Sequence, residues 1–257
     1  MIQDWTKNIL LFFALFLGSF SAASGQAAKG DNVIRLGFPK VGYPPYLMPQ
    51  GADQPGIMTA ILARLAGKQG YSVQIEYMPD NRALALQLVG NLEASAQAQE
   101  WVSGPERFLW TVPIITVADH IIIRKDNPIA ISRVEDLHGK SLAAMIGYSY
   151  PSFDTGFANG IIIRRNTQNF SSLLKMVMLE RTDGAILDRN VALWLFRTKT
   201  ELQLDQFDVS AKGFDPVGFR FRFALRDDLV PFVEAFDRHF AAFQASGEFD
   251  DLLTQYR

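Results

Sequence analysis

Two side chains in this 257-residue sequence stand where a bound ion could meet them. Arg107 comes out of the polar tract EASAQAQEWVSGPERFLWTVP, after a Gly-Pro turn signal and just before an aromatic run. A guanidinium grips a carboxylate through two parallel hydrogen bonds. Asp188 ends the short apolar run GAIL, and its carboxylate suits an ammonium. Gly147, Tyr148 and Ser149 precede an expected helix, and backbone N–H groups at a helix start suit part of an anion. Tyr43 and Tyr46 flank two prolines, where their rings can stack on a ligand or lie over a cation. Together these groups fit a zwitterion. Each also has a plainer reading: Arg107 as a surface charge, Asp188 as the N-cap ahead of Val191, the tyrosines as packing of their own loop.

Other chemistries find less support. His120, His138 and His239 are scattered, without metal-ligand spacing. Cysteine is absent, which removes thiolate ligands, thiol nucleophiles and disulfides. Ser149 lies in GYSYP, but Pro151 stands where a nucleophile elbow needs its second glycine, and no histidine is placed to serve it. There is no phosphate-binding loop and no dinucleotide fingerprint, so neither a metal nor a cofactor is expected. With 25 basic and 27 acidic side chains the formal charge is −2, and nothing points to nucleic acid or to an anionic membrane surface.

The elements that must position these groups follow from pattern. Lys7, an apolar run at 9–20 and the small-residue tract SAASGQAA form a secretory signal over residues 1–25, with cleavage after Ala23 or Gly25. The run is short for a bilayer span, so a soluble, exported mature protein is expected. VIRLGF at 33–38 reads as a buried strand, and the two prolines of GYPPYL make a rigid loop at its end. Apolar positions Met58, Ile61, Leu62 and Leu65 give helical spacing over 56–69. A strand at 72–78, a helix over 82–89 capped by Asn81 and a strand at 92–97 complete a β-α-β-α-β order. That order implies a mainly parallel sheet covered by helices, with ligands at the carboxyl ends of its strands.

A second block repeats the style. HIIIRKD and GIIIRR read as buried strands, and Ser132 with Glu135 as a capping box. Strands at 141–146 and 184–187 alternate with helices at 151–158, 169–180 and 192–197. FRFRFAL at 219–225 alternates strictly and puts its arginines on one face. Pro231 opens the longest late helix, with Phe232, Phe236, Phe240 and Phe243 one turn apart, and a short helix at 249–256 ends the chain.

The order of motifs resembles the extracellular solute-binding proteins of family 3, the amino-acid receptors of ABC importers. The resemblance runs from about Val33 to Tyr256. It rests on GYPPY after the first strand, LVGNLEA, PER at 105–107, SRVEDLHGKSLAAMIGYS, ERTDGAILDRNVA and the closing FQASGEFDDLLTQY. It implies an α/β fold of two lobes joined by two crossing strands, here 31–115 with 214–257 and, as the second lobe, 116–213. It also implies that Arg107 holds an α-carboxylate and Asp188 an α-ammonium, with Gly147, Tyr148 and Ser149 on the binding turn and Tyr43 as the aromatic of the first loop. The family's pocket wall is rich in serine and threonine. Here that stretch is Gln97, Ala98, Gln99, Glu100 and Trp101, a bulkier wall lined by amides, and Glu93 stands where aspartate is usual. The expected function is capture of an amino acid or close analogue in the periplasm by a monomer that delivers it to an inner-membrane ABC permease, without chemistry. Rival readings are an enzyme on the same scaffold, such as a dehydratase of a small carboxylic acid, and a sensor domain for a membrane receptor.

Overall fold

A computed structural model describes residues 32–256; the secretory signal expected at 1–25 lies outside them. Its strands join in one ten-stranded sheet, and the order of pairing shows how two blocks are built and linked. In the first block β1 (Val33–Phe38) pairs in parallel with β2 (Ser72–Tyr77) and β3 (Ala94–Ala98). The connections are α1 (Ile57–Gly67) and α2 (Asp80–Leu88). β4 (Phe108–Trp110) and β5 (Ile115–Arg124) then lead into the second block. There β6 (Ser141–Met145) pairs in parallel with β7 (Ile163–Thr167) and β8 (Gly184–Asp188). Helices α3 (Pro151–Ala158), α4 (Phe170–Met178) and α5 (Arg189–Thr198) connect them. β9 (Phe207–Val209) lies against β5, and β10 (Phe214–Ala224) returns to the first block. Helices α6 (Val230–Ala245) and α7 (Glu248–Thr254) finish the chain on it.

Each block is parallel, as expected, but the links are not. β10 runs antiparallel to β3, β4 and β5, and β5 runs antiparallel to β8. β5 and β10 are therefore the two crossing strands, and everything between the blocks is organised along them.

Packing follows the sequence pattern. Phe219, Phe221 and Phe223 share one face of β10 and are buried. Phe232 and Phe236 of α6 meet that face, with ring centroids 5.4 Å (Phe223–Phe232) and 5.5 Å (Phe221–Phe236) apart. The opposite face carries Arg222, which is only 3% exposed. Its Nε donates to Gln87 Oε1 and its guanidinium lies 4.8 Å from the centre of the Phe108 ring. Burial lowers its pKa to about 10.

Several local expectations need correction. GIIIRR is not a buried strand: β7 begins at Ile163 and forms the sheet's edge, leaving Ile161 and Ile163 exposed while Ile162 alone is buried. Asn81 does not cap α2, which begins one residue earlier with Pro79 at the cap position. The partner of Ser132 is Asp136, not Glu135, because the turn at Val134–Leu137 is a tight 3-10 helix. Asn169 caps α4 by accepting from Ser172 N.

The loop after β1 is closed by its own backbone. Tyr43 N donates to Leu47 O (2.7 Å) and Tyr46 N to Tyr43 O (2.9 Å). Two glycines let other chain segments approach it. Gly42 has φ +64°, and a Cβ there would meet Leu47 O at 2.3 Å. A Cβ on Gly56 would meet Tyr46 O at 2.3 Å. Gly56→Ala is therefore expected to push the Tyr43–Leu47 loop away from α1 and to destabilise the protein by roughly 1–3 kcal/mol, the usual range for overpacking. Chemical denaturation checks this; an unchanged midpoint would show that the loop moves freely.

Candidate functional site

A row of aromatic rings runs from the first block to the second. Trp101 lies 6.1 Å from Phe219, Phe219 5.8 Å from Tyr43, Tyr43 5.7 Å from Phe170 and Phe170 6.5 Å from Tyr148, centre to centre. Tyr46 joins this row at 5.3 Å from Tyr43, and Tyr150 at 6.4 Å from Tyr148. The row runs from the loop after β3 to the turn after β6, so it passes from one block to the other. Tyr43, Tyr46, Trp101 and Tyr148 were expected from sequence. Phe170 and Phe219 were not, because an aromatic at a helix start or in an alternating strand reads as core.

Asp188 is the most constrained polar group here. It caps α5, with Oδ1 accepting from Asn190 N (2.9 Å) and Val191 N (3.2 Å), as expected. The same oxygen accepts from Tyr46 Oη at 3.0 Å, and Oδ2 accepts from Ala118 N at 3.3 Å. Asn190 Nδ2 donates to Tyr46 Oη at 2.8 Å. Burial raises the Asp188 pKa against the pull of these donors.

Arg107 and part of the Gly147–Ser149 turn are also engaged by the chain itself. Arg107 stands exposed in the 3-10 turn Pro105–Arg107 and donates into its own loop, Nη2 to Ser103 O at 2.9 Å and Nε to Gly104 O at 3.4 Å. In the Gly147–Ser149 turn, Tyr148 N donates to Met145 O. Ser149 Oγ and Tyr150 N both donate to the Asp154 carboxylate of α3. Arg164 closes the turn from outside, donating to Met145 O and Tyr148 O. Gln97 lies half-buried opposite Arg220, Gln99 is half-buried at the start of a 3-10 turn, and Glu100 is exposed beside it.

One carboxylate differs. β5 sets Asp119 directly opposite Asp188 on β8 and against Phe214 on β10, next to Asp215. Asp215 accepts from Ser152 N and Oγ. Among the described residues, no donor bonds the Asp119 carboxylate. Burial, then the charges of Asp215 and Asp188, push it up to about 7. The cost is felt by its neighbours. Burial is the main reason the Tyr43, Tyr148 and Tyr150 phenols are raised, but Asp119 adds to all three, and Tyr148 reaches about 12. Asp80, at the start of α2 in the other block, also raises Tyr148. Sequence reasoning passed over Asp119 because VADHIII reads as an ordinary buried strand; its opposition to Asp188 is a matter of register. The described residues hold no group of three His, Asp or Glu placed to bind a metal ion.

This is a two-lobed periplasmic-binding-protein fold, and the comparisons agree. Over 88% of the chain it superposes on 98% of an ancestral arginine-binding protein bound to arginine, with TM-score 0.70 and 18% identity. Over the same share it superposes on 95% of an ancestral amino-acid-binding protein described as a precursor of cyclohexadienyl dehydratase, with TM-score 0.66 and 18% identity. No family model matches. In sequence, a probable amino-acid-binding protein of Bacillus subtilis is 21% identical over 194 residues, 75% of this chain and 73% of that one. The expected fold is thus matched, and the sequence relative is named for amino-acid binding.

The Asp119 environment has a measurable consequence. Its folded-state pKa lies above the ordinary carboxylate value, so the native state holds the proton more tightly than the unfolded chain. That contribution to stability is lost as pH rises from about 4 to about 7. Asp119→Asn is expected to melt with the wild type at about pH 4, and to melt increasingly above it as the pH is raised to 8, all without ligand. Equal melting temperatures at both pH values would show that the carboxylate is well solvated.

Proposed function

We propose that this protein is a periplasmic solute-binding protein that captures a small polar ligand, an amino acid or close analogue, between its lobes. It would present the closed, loaded form to an inner-membrane ABC permease. The observation that carries the reading is the row of rings that crosses between the blocks at the paired strands β5 and β10. Rings give large contact area and orient a ligand with few polar groups. The relatives support it, since those in sequence and in structure are named for amino-acid or arginine binding. Among the described residues no helix is long and apolar enough to cross a membrane. In this reading Tyr43, Tyr46, Gln97, Gln99, Trp101 and Tyr148 wall the ligand, and Gly147 and Ser149 form the turn beneath it. Asp188 fixes the floor, and Arg107, released from its loop carbonyls, meets a ligand carboxylate at the rim.

A thermal-shift screen of the mature protein against amino acids, amines and small carboxylates tests capture. A ligand of the folded state alone, at about 100 times its Kd, adds about 2.7 kcal/mol and must raise the melting temperature. No shift from any amino acid would refute the reading. Arg107 is tested by pairing L-arginine with agmatine, which lacks the carboxylate. Arg107→Ala is expected to weaken the amino acid at least tenfold and to leave the amine unchanged. Equal effects on the two would remove Arg107 from the site.

A second reading, an enzyme on the same scaffold, is favoured by one observation. Asp119 lies opposite Asp188 across β5 and β8, accepts no hydrogen bond among the described residues and is pushed up to about 7, the poise of a general acid or base. Turnover of a bound carboxylic acid, lost in Asp119→Asn, would establish it.

A further inference from the structure

We propose that the second block carries a binding site of its own, apart from the ring row, for an aliphatic amine with an ammonium end and an alkyl body. Two adjoining surface cavities of about 450 and 330 Å³ form it. They share Arg124, Asp126 and Glu180, and all their lining residues belong to the second block. The length of β5 separates them from the ring row. Its first residue, Ile115, pairs with Phe219 on β10, and its last, Arg124, pairs with Phe207 on β9.

Three observations point to a cation. The first is charge. Beside Arg124 and Lys125, the walls hold the carboxylates of Asp126, Asp183, Asp205 and Glu180. The Arg124 guanidinium is not free for an anion, because Nε and Nη2 pair with Asp126 and Nη1 pairs with Glu180. One oxygen of Asp183 accepts from Ser141 N and Oγ, and the other lies 3.8 Å from Lys140 Nζ. Asp205 and the second oxygen of Glu180 have no ion-pair partner among the described residues.

The second is a buried hydroxyl. Thr182 lines the smaller cavity, is only 5% exposed, and its Oγ1 has no hydrogen-bond partner among the described residues. A buried polar group left unmatched costs stability. An ammonium carries three N–H donors, enough for a hydroxyl oxygen and carboxylates together. The third is backbone. α4 ends in a left-handed turn, with Arg181 N donating to Met176 O at 2.8 Å and Glu180 N to Val177 O at 3.1 Å. Glu180 therefore has φ +55°, where glycine is favoured. A glutamate does nothing for that turn; its side chain puts a carboxylate on the wall that both cavities share.

Met178 and Phe207 line the larger cavity and suit the methylenes of an alkyl chain. Among the described residues no group of three His, Asp or Glu is placed to bind a metal ion, so the cation is organic.

The test is calorimetry with amide NMR on the mature protein, using butylamine, 1,4-diaminobutane and, as an anion of the same length, butyrate. Glu180→Gly keeps the turn, since glycine suits its φ, and Thr182→Val keeps the side-chain outline without the hydroxyl. Melting curves of both variants report folding independently of binding. The expected result is that at least one amine binds and butyrate does not, with shifted amides clustered at 124–127, 178–183 and 204–207. Glu180→Gly is expected to weaken the amine about tenfold or more, and Thr182→Val several-fold, as lost hydrogen bonds to a charged group. Unchanged affinity in either variant overturns the proposal. So does binding of no amine, equal binding of butyrate, or amide shifts centred on the ring row or scattered over the surface. Each of these results leaves solute capture between the blocks to its own test.

Discussion

The hydrogen bond from the Tyr46 hydroxyl to Asp188 is the point on which the site's geometry depends. It joins residues 142 positions apart and ties the first loop of one block to the start of α5 in the other. Because Asp188 also caps α5 and accepts from Ala118 on β5, one carboxylate fixes a loop, a helix and a crossing strand at once. The residue is buried, so each donor matters. An unbonded carboxylate oxygen there would cost several times what a surface hydrogen bond returns. Tyr46 is held in turn from behind, by the close approach of Gly56 to its carbonyl, and from the side by Asn190. The ring row then inherits its order from Tyr46, since Tyr43 and Phe219 both pack against it.

Much of this was legible in the chain. The two β-α-β-α blocks, the aromatic stripe of α6 and the capping role of Asp188 follow from periodicity and cap chemistry, which act over four or five residues. What was not legible depends on distance or register. The isoleucines of GIIIRR look like those of HIIIRKD, yet β7 has a neighbour on one side only, so its outward residues are exposed. Arg107 was read as the grip for a carboxylate because its residue type suits one, and in the ligand-free molecule it donates to Ser103 O and Gly104 O. No pattern shows that Ser103 and Gly104 offer carbonyls within its reach. Asp119 was missed for the opposite reason. Its neighbours announce a strand, and only pairing with β8 places it against Asp188.

The crossing strands decide what a change of conformation does to the Asp119 carboxylate. A ligand shifts a conformational equilibrium only by the difference in its affinity for the two states. Asp119 lies on β5, which pairs with β8 of the second block and with β10, the other crossing strand. Tyr43 belongs to the first block and Tyr148 to the second, and Asp119 adds to the upward shift of both phenols. A closure that brought the blocks together would strip water from such a carboxylate and raise the cost of leaving it unmatched. Asp188, bonded to the chain through both oxygens, is already matched.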